Sequence, residues 1–205
     1  MKQYILFFFL FFSLSGYGQT IGSLFQSMPA DILPGVSEDN KTMLLVDTGK
    51  TTVPYAFGEI SKIRQRSDYL EIRSSDIGTT QLKLLPVSQD SVIVCVIKSV
   101  CGDVCDSNIS FYTTDWRKLE KSTFLPAISA EIFFDSSKKE TENYKYAVSL
   151  PDIYPISAAF GDTGNDLTLT FNYKRRLSDD WIAEIKPFLK GDSVILKWDN
   201  HSFKQ

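Results

Sequence analysis

The sequence predicts an α+β protein: an antiparallel β-meander packed against N-terminal helices, followed by a smaller strand, strand, helix, strand portion. Three observations carry this. Residues 91–116 read as a long buried strand, a cysteine-flanked turn and a return strand. From Glu59 to Thr114 apolar residues recur with period two, in runs separated by short polar turns, the pattern of neighbouring antiparallel strands. Ahead of that run, Thr20 and Ser37 each precede apolar residues at helical spacing.

Residues 1–18 have the order of a secretory signal: Lys2, an apolar run, then Gly16 and Gly18 at the spacing a signal peptidase reads. The apolar run is shorter than the about 20 residues of a membrane span. The expectation is therefore a cleaved signal peptide, a mature chain starting at Gln19, no integral membrane segment after signal removal, and a periplasmic or extracellular location. An uncut N-terminal anchor is the alternative. No cysteine follows the apolar run to receive a lipid. Residues 19–205 are expected to form a single α+β domain. Asp90-Ser-Val-Ile93 recurs as Asp192-Ser-Val-Ile195, which would mark halves 19–120 and 121–205. Any turn entering a β-branched strand produces similar letters, and coincidence is the preferred reading.

Taken in order, Thr20 caps a helix at 21–28 that Pro29 ends. Ser37 caps a second, with Glu38 and Asp39 at its positive end, Met43, Leu44 and Val46 as its buried face and Gly49 at its close. Residues 51–58 read as an extended connection over the core. Strands follow at 60–65, 69–73, 79–85, 92–100 and 108–114. In the fourth, Val92, Val94, Val96 and Val100 share one face and Ile93, Cys95 and Ile97 the other, so both faces require cover. In its neighbours Leu70 and Ile72 alternate with Glu71 and Arg73, and Leu82 and Leu84 with Gln81 and Lys83, leaving one wet face. Residues 129–134 are one helical turn or an extended segment, and 136–143 a polar loop. Strands at 154–160 and 167–173 bracket a turn at 161–166. Ser178 caps a helix with Trp181, Ile182, Ile185, Phe188 and Leu189 on one side, which places Trp181 in the core, and Pro187 kinks or tightens the last turn. A last strand covers 194–198.

A formal charge of −3 gives no basic excess for a phosphate backbone, so nucleic acid is not an expected partner. His201, the only histidine, lies near the C-terminal end and leaves little material for histidine-based catalysis or metal binding. Cys95, Cys101 and Cys105 do not have zinc-site spacing. Instead, Cys101 and Cys105 flank three residues at the mouths of two paired strands, where Cα atoms face each other at roughly 4.5–5.5 Å, within reach of a disulfide. Cys95 points into apolar packing as a free thiol; three reduced thiols are the alternative.

Ser136 and Lys139 have the serine, two residues, lysine spacing of certain acyltransferases, without companion motifs. Asp162, Asn165 and Asp166 offer oxygens for calcium but fit a hairpin turn better. Asp179, Asp180 and Glu184 cluster at a helix start, where carboxylates ordinarily meet the dipole. Arg64, Arg66, Arg73, Lys83 and Lys98 would form a cationic strip across the meander if register aligns them, with Tyr69 or Tyr112 interleaved for stacking on sugars. The plainer reading is a solvated sheet face. No catalytic, cofactor or metal residues are assigned.

Thr20-Ile-Gly-Ser-Leu-Phe-Gln-Ser-Met-Pro29, Gln81-Leu-Lys-Leu-Leu-Pro-Val87 and the stretch Ser99-Val-Cys-Gly-Asp-Val-Cys-Asp-Ser-Asn-Ile-Ser-Phe-Tyr-Thr-Thr-Asp-Trp116 together resemble a family of exported proteins of unknown function from Bacteroidales-type bacteria. The resemblance spans the mature chain, implies a cell-envelope setting and an uncharacterised role, and brings no catalytic residues to carry over. The leading functional expectation is a non-enzymatic binding or interaction module for a protein or glycan of the envelope. The alternative is a hydrolase using two of Asp115, Asp179, Asp180 and Glu184, held in one cleft. A folded inhibitor or chaperone-like module is a third.

Overall fold

The computed structural model describes residues 20–47, 49–151 and 154–205. The signal reading of residues 1–18 and the start at Gln19 lie outside the described residues. Seven antiparallel strands follow one another as neighbours in one sheet: β1 (Thr51–Tyr55), β2 (Gly58–Gln65), β3 (Tyr69–Arg73), β4 (Gly78–Ser88), β5 (Ser91–Cys101), β6 (Cys105–Tyr112) and β7 (Lys118–Leu119). A second antiparallel sheet has the order β11 (Phe203–Lys204), β10 (Ser193–Trp198), β9 (Leu167–Phe171), β8 (Ile156–Phe160). With five short α-helices among the described residues, the fold is α+β. No helix among the described residues is long and apolar enough to cross a membrane.

β5 has cover on both faces, as its unbroken apolar run requires. Val94 and Val96 join Leu70, Ile72 and Leu82 beneath the helices α1 (Ile21–Gln26) and α2 (Glu38–Leu45), which contribute Phe25 and Leu44. Ile93, Cys95 and Ile97 face the other way and pack with Leu167, Leu169 and Leu196 of the smaller sheet. Residues 51–55 are an edge strand instead of a connection, with register Thr51↔Lys62 to Tyr55↔Gly58. Pro54 is tolerated there because an edge strand has one side without a ladder.

The caps lie where the sequence puts them. Thr20 Oγ1 accepts from Ser23 N at 3.2 Å and Ser37 Oγ from Asn40 N at 3.1 Å. The buried face of α2 is different. Leu44 is buried, but Met43 is 53% and Val46 81% exposed, and the other inward residue is Lys41. The cause lies in α1, whose last carbonyls need donors. Lys41 Nζ donates to Gln26 O at 3.3 Å and Met28 O at 2.5 Å, and to Glu38 Oε1 at 2.8 Å.

Beyond Trp116 come α3 (Lys121–Phe124), 3-10 turns at Ala130–Phe133 and Ser136–Lys138, and α4 (Tyr144–Ser149), a helix the sequence pattern does not announce. In α5 (Asp179–Ile185), Ser178 Oγ accepts from Trp181 N at 3.4 Å, and Pro187 tightens the end into a 3-10 turn at Lys186–Phe188. Trp181 is not core: it is 43% exposed, while Ile185 is buried. One residue on a helix is about 100° of rotation, enough to carry the indole off the inner side that Ile182 and Ile185 occupy.

The two sheets are joined by side chains. The outer N–H groups of β8 donate to the large sheet: Ile156 N to Asp106 Oδ1 at 3.1 Å, Ala158 N to Ser107 Oγ at 3.0 Å and Phe160 N to Gln81 Oε1 at 3.0 Å. Gln81 and Lys83, which alternation assigns to a wet face, are buried for this reason. Cys101 and Cys105 form a disulfide across a ladder pair whose Cα atoms are 4.0 Å apart. Cys95 is a buried free thiol whose pKa burial pushes well up.

Candidate functional site

Where the end of the smaller sheet meets the large one, a cleft of about 600 Å³ opens. Its apolar floor is Ile93 of β5, Leu119 of β7 and Phe124 of α3. One wall is the turn from β6 to β7, with Thr113, Thr114, Asp115 and Arg117; the other is the β10–β11 turn, with Asn200, His201 and Ser202.

Both walls are built on unusual backbone. Among the described residues, the two non-glycine positions with positive φ are Trp116, at 61°, and Asn200, at 71°. Asn tolerates the left-handed region, but a bulky Trp there costs of order 1–3 kcal/mol and requires support. Trp116 N donates to Thr113 O at 3.0 Å, Thr113 N to Arg117 O at 2.9 Å and Arg117 N to Thr113 Oγ1 at 3.1 Å. The indole lies on the helix side, donating from Nε1 to Ser27 Oγ at 3.2 Å beside the Tyr112 ring. Asp115 and Arg117 are left on the rim as a loose pair at 3.9 Å.

Across the cleft Asp199 organises the β10–β11 turn. Its Oδ1 accepts from His201 N at 3.0 Å and Ser202 N at 2.8 Å, and its other oxygen pairs with Lys204. The Lys204 hydrogen bond, helped by those backbone donors, holds the Asp199 carboxyl well below the usual range. His201 therefore belongs to an ordered hairpin, a placement its position near the chain end does not reveal. Beneath, Trp198 Nε1 donates to Pro86 O at 2.7 Å, and its ring meets Phe203 at 4.9 Å and Phe124 at 6.4 Å. These aromatic contacts fix the two walls relative to one another.

The cationic strip divides. Lys98 stands opposite Thr80 and Asn108, on the helix side, while Lys83 lies opposite Tyr69 on the other face. Lys83 is buried and paired with Asp68 Oδ2 at 2.5 Å, and Arg73 is exposed. Arg64, Arg66 and Tyr69 do come together. The Arg66 and Arg64 guanidiniums lie 4.6 and 5.4 Å from the Tyr69 ring, Arg64 Nε donates to Glu71 Oε2 at 2.8 Å, and both arginines donate to Asp162 of the β8–β9 turn. The bond to Glu71 raises the Arg64 pKa, and burial raises that of Tyr69. This group therefore clamps one sheet to the other.

Asp115 lines the cleft, whereas Asp179, Asp180 and Glu184 do not; the two aspartates open α5. Lys139 meets Ser136 through its backbone N–H, at 3.3 Å from Ser136 O.

Architecture and cleft define an α+β protein of two side-chain-stitched antiparallel sheets, open where their ends meet. Residues 13–203 match the model of a family described as a protein of unknown function (DUF3256), and the chain belongs to that family. A solved structure described as a domain of an uncharacterized protein from Porphyromonas gingivalis W83 is similar, with a TM-score of 0.77 at 21% identity, over 88% of this chain and 96% of that one. At that identity the likeness concerns the fold. No curated protein matches the chain.

Proposed function

We propose that this protein is a non-enzymatic binding module of the cell envelope, exported after removal of residues 1–18, whose cleft receives a protein or glycan partner. The observation that carries the reading is that, among the described residues, the two left-handed non-glycine positions belong to the two turns that wall one cleft: Asn200 lines it, and Trp116 sits in the chain between the lining residues Asp115 and Arg117. Backbone held in costly conformations concentrates at functional sites. The chemistry of the walls agrees: hydroxyls of Thr113, Thr114 and Ser202, one carboxylate, one guanidinium and an imidazole above an apolar floor suit a ligand bearing hydroxyl or amide groups. The Arg64, Arg66 and Tyr69 cluster is the weaker candidate surface, because Asp162 already engages both guanidiniums.

The test passes envelope extract over immobilised protein and over a double variant, Arg117→Glu with His201→Ala. A partner retained by the parent and depleted on the variant is expected. Equal retention by both would remove the cleft from the reading. Cleavage of envelope polymer that Asp115→Asn abolishes would replace it with the hydrolase alternative.

A further inference from the structure

Alternate residues of a strand share a side, so the face that Ile93, Cys95 and Ile97 turn to the smaller sheet continues along β5 to Ser99 and Cys101. Their ladder partners on β6, Ser107 and Cys105, lie on the same face. Ser107 shows this directly, because its Oγ accepts from Ala158 N of β8. The Cys101–Cys105 bond is therefore on the side of the hairpin that looks toward the smaller sheet. It stands at the opposite end of β5 from the proposed cleft, which Ile93 lines.

Cover falls away along this row. Cys95, Ile97 and Ser99 are buried, whereas Cys101 and Cys105 are partly exposed. A hollow of about 420 Å³ accounts for the change. Gly102 to Cys105 form one side of it, and the other side comes from the smaller sheet and its loops, with Asn172, Arg175 and Asp192. Gly102 and Asp103 are exposed, and a side chain at Gly102 would meet open space. A small thiol can thus reach the cysteine loop without unfolding the protein.

What the bond holds is local. The ladder from Val94↔Tyr112 to Val100↔Asp106 already fixes β5 against β6, and a disulfide closing so short a loop removes little unfolded-state entropy. Its effect is on the tip, where Arg175 Nη1 donates to Asp103 O at 3.3 Å and Asn172 Nδ2 to Cys105 O at 2.7 Å. The clamped loop is thereby an anchor for the smaller sheet. Exposed disulfides are the ones that exchange with thiols most readily. Cys95, the third cysteine, is buried away from solvent on the same strand and cannot scramble the pair.

We propose that Cys101–Cys105 is a redox-active bond, a thiol–disulfide exchange site that an external dithiol reaches through this hollow. One thiolate of the dithiol attacks Cys105 Sγ, which lies in the lining residue, and Cys101 leaves as a thiolate. The second thiolate of the dithiol then attacks its own partner sulfur in the mixed disulfide, and Cys105 leaves. Two electrons pass from the dithiol to the Cys101–Cys105 bond, the dithiol becomes a disulfide, and its two protons end on the two protein thiols. Reduction removes the clamp from Gly102 to Val104, and the hold of Arg175 on Asp103 O goes with it. The hollow shares no residue with the proposed cleft, so either reading can fail alone.

The experiment treats the intact folded protein with dithiothreitol, a simple dithiol, and follows the freed thiols by iodoacetamide labelling and mass spectrometry. Cys101 and Cys105 should be labelled while Cys95 is not, at a rate within about tenfold of that in urea-unfolded protein, since access is the factor that folding changes. Hydrogen exchange of the reduced protein should quicken at the Asp103 and Val104 amides and stay unchanged at Leu82, Val94 and Val96. Cys101→Ser, with folding checked by retained protection at Val94 and Val96, should form a mixed disulfide at Cys105 with oxidised glutathione. The proposal is overturned if the bond opens only as fast as the protein unfolds, or if Cys95 is labelled together with the pair. Unchanged exchange at Asp103 and Val104, or a folded Cys101→Ser protein that takes up no glutathione, would overturn it as well.

Discussion

Lys41, Lys62 and Lys83 are all buried, each with its ammonium on a specific acceptor: main-chain carbonyls at the end of α1, the Asp47 carbonyl with Gln65, and Asp68. Burial lowers the Lys62 pKa. No reading of hydrophobic pattern finds such residues, because it assigns charge to the outside and the acceptors come from elsewhere in the chain. Lys41→Met keeps the stem but leaves the carbonyls of Gln26 and Met28 without that donor, and should cost about 1–3 kcal/mol in urea unfolding. Met43→Ser, on the exposed side of the same helix, should change stability by less than about 0.5 kcal/mol. Trp181→Ala, which a core position would make costly, should fall below the about 3–5 kcal/mol of a buried aromatic. Equal costs at Lys41 and Met43 would show that α2 is rotated from this description. Trp116 was equally hidden, since nothing about a tryptophan announces positive φ.

At the scale of elements, long strands were legible and short ones were not. Alternation located β3 and the two-faced β5 because five to eleven residues show a period. β7 and β11 have two residues each and no period to show. The cleft inherits this blindness: Leu119 and Ser202 lie in or beside those two strands, and packing alone brings them together. The β5–β6 hairpin was readable with its Cys101–Cys105 bond, although the return strand begins at Cys105 and not at residue 108. That bond closes a loop of few residues, so a double Cys→Ser variant should lose at most about 2 kcal/mol and keep its β5–β6 pairing. Thiol titration of denatured, unreduced protein should find one free group, Cys95; three would refute the bond. Gln81 makes the opposite contribution, acting between sheets. Gln81→Leu leaves the Phe160 N–H unpaired in a buried place and should cost about 1–3 kcal/mol. Retained stability would mean that β8 can shift to find another acceptor.

For the molecule as a whole, the carboxyls among the described residues that are held clearly below their ordinary range all belong to the later part of the chain. Asp192 is held down first by the hydrogen bond from Lys174 and then by that from Tyr173, whose own phenol is raised to about 12 by burial and this same carboxylate. Asp199 is held down by Lys204 and turn amides, and Asp135 by the Ser137 hydroxyl and N–H. A carboxyl with a folded pKa below its unfolded value binds fewer protons when folded. Its contribution is therefore complete above the ordinary carboxylate value near about 4 and is lost as pH falls through the lowered folded value. Solvent exposure makes each contribution modest, but all three act on segments joined to the smaller sheet, and none on α1, α2 or β3 to β5. Acid should accordingly open the smaller sheet first, as a local unit with its own stability. Hydrogen exchange followed from pH 7 to pH 3 should show Leu169 and Leu196 amides losing protection while Leu82, Val94 and Val96 keep theirs. Asp192→Asn should move that onset toward neutral pH, because the lost carboxylate can no longer hold Lys174 and Tyr173 together. Simultaneous loss at Leu82 and Leu196 would show instead that the two sheets unfold as one cooperative body and that the acid-sensitive contacts do not set the order.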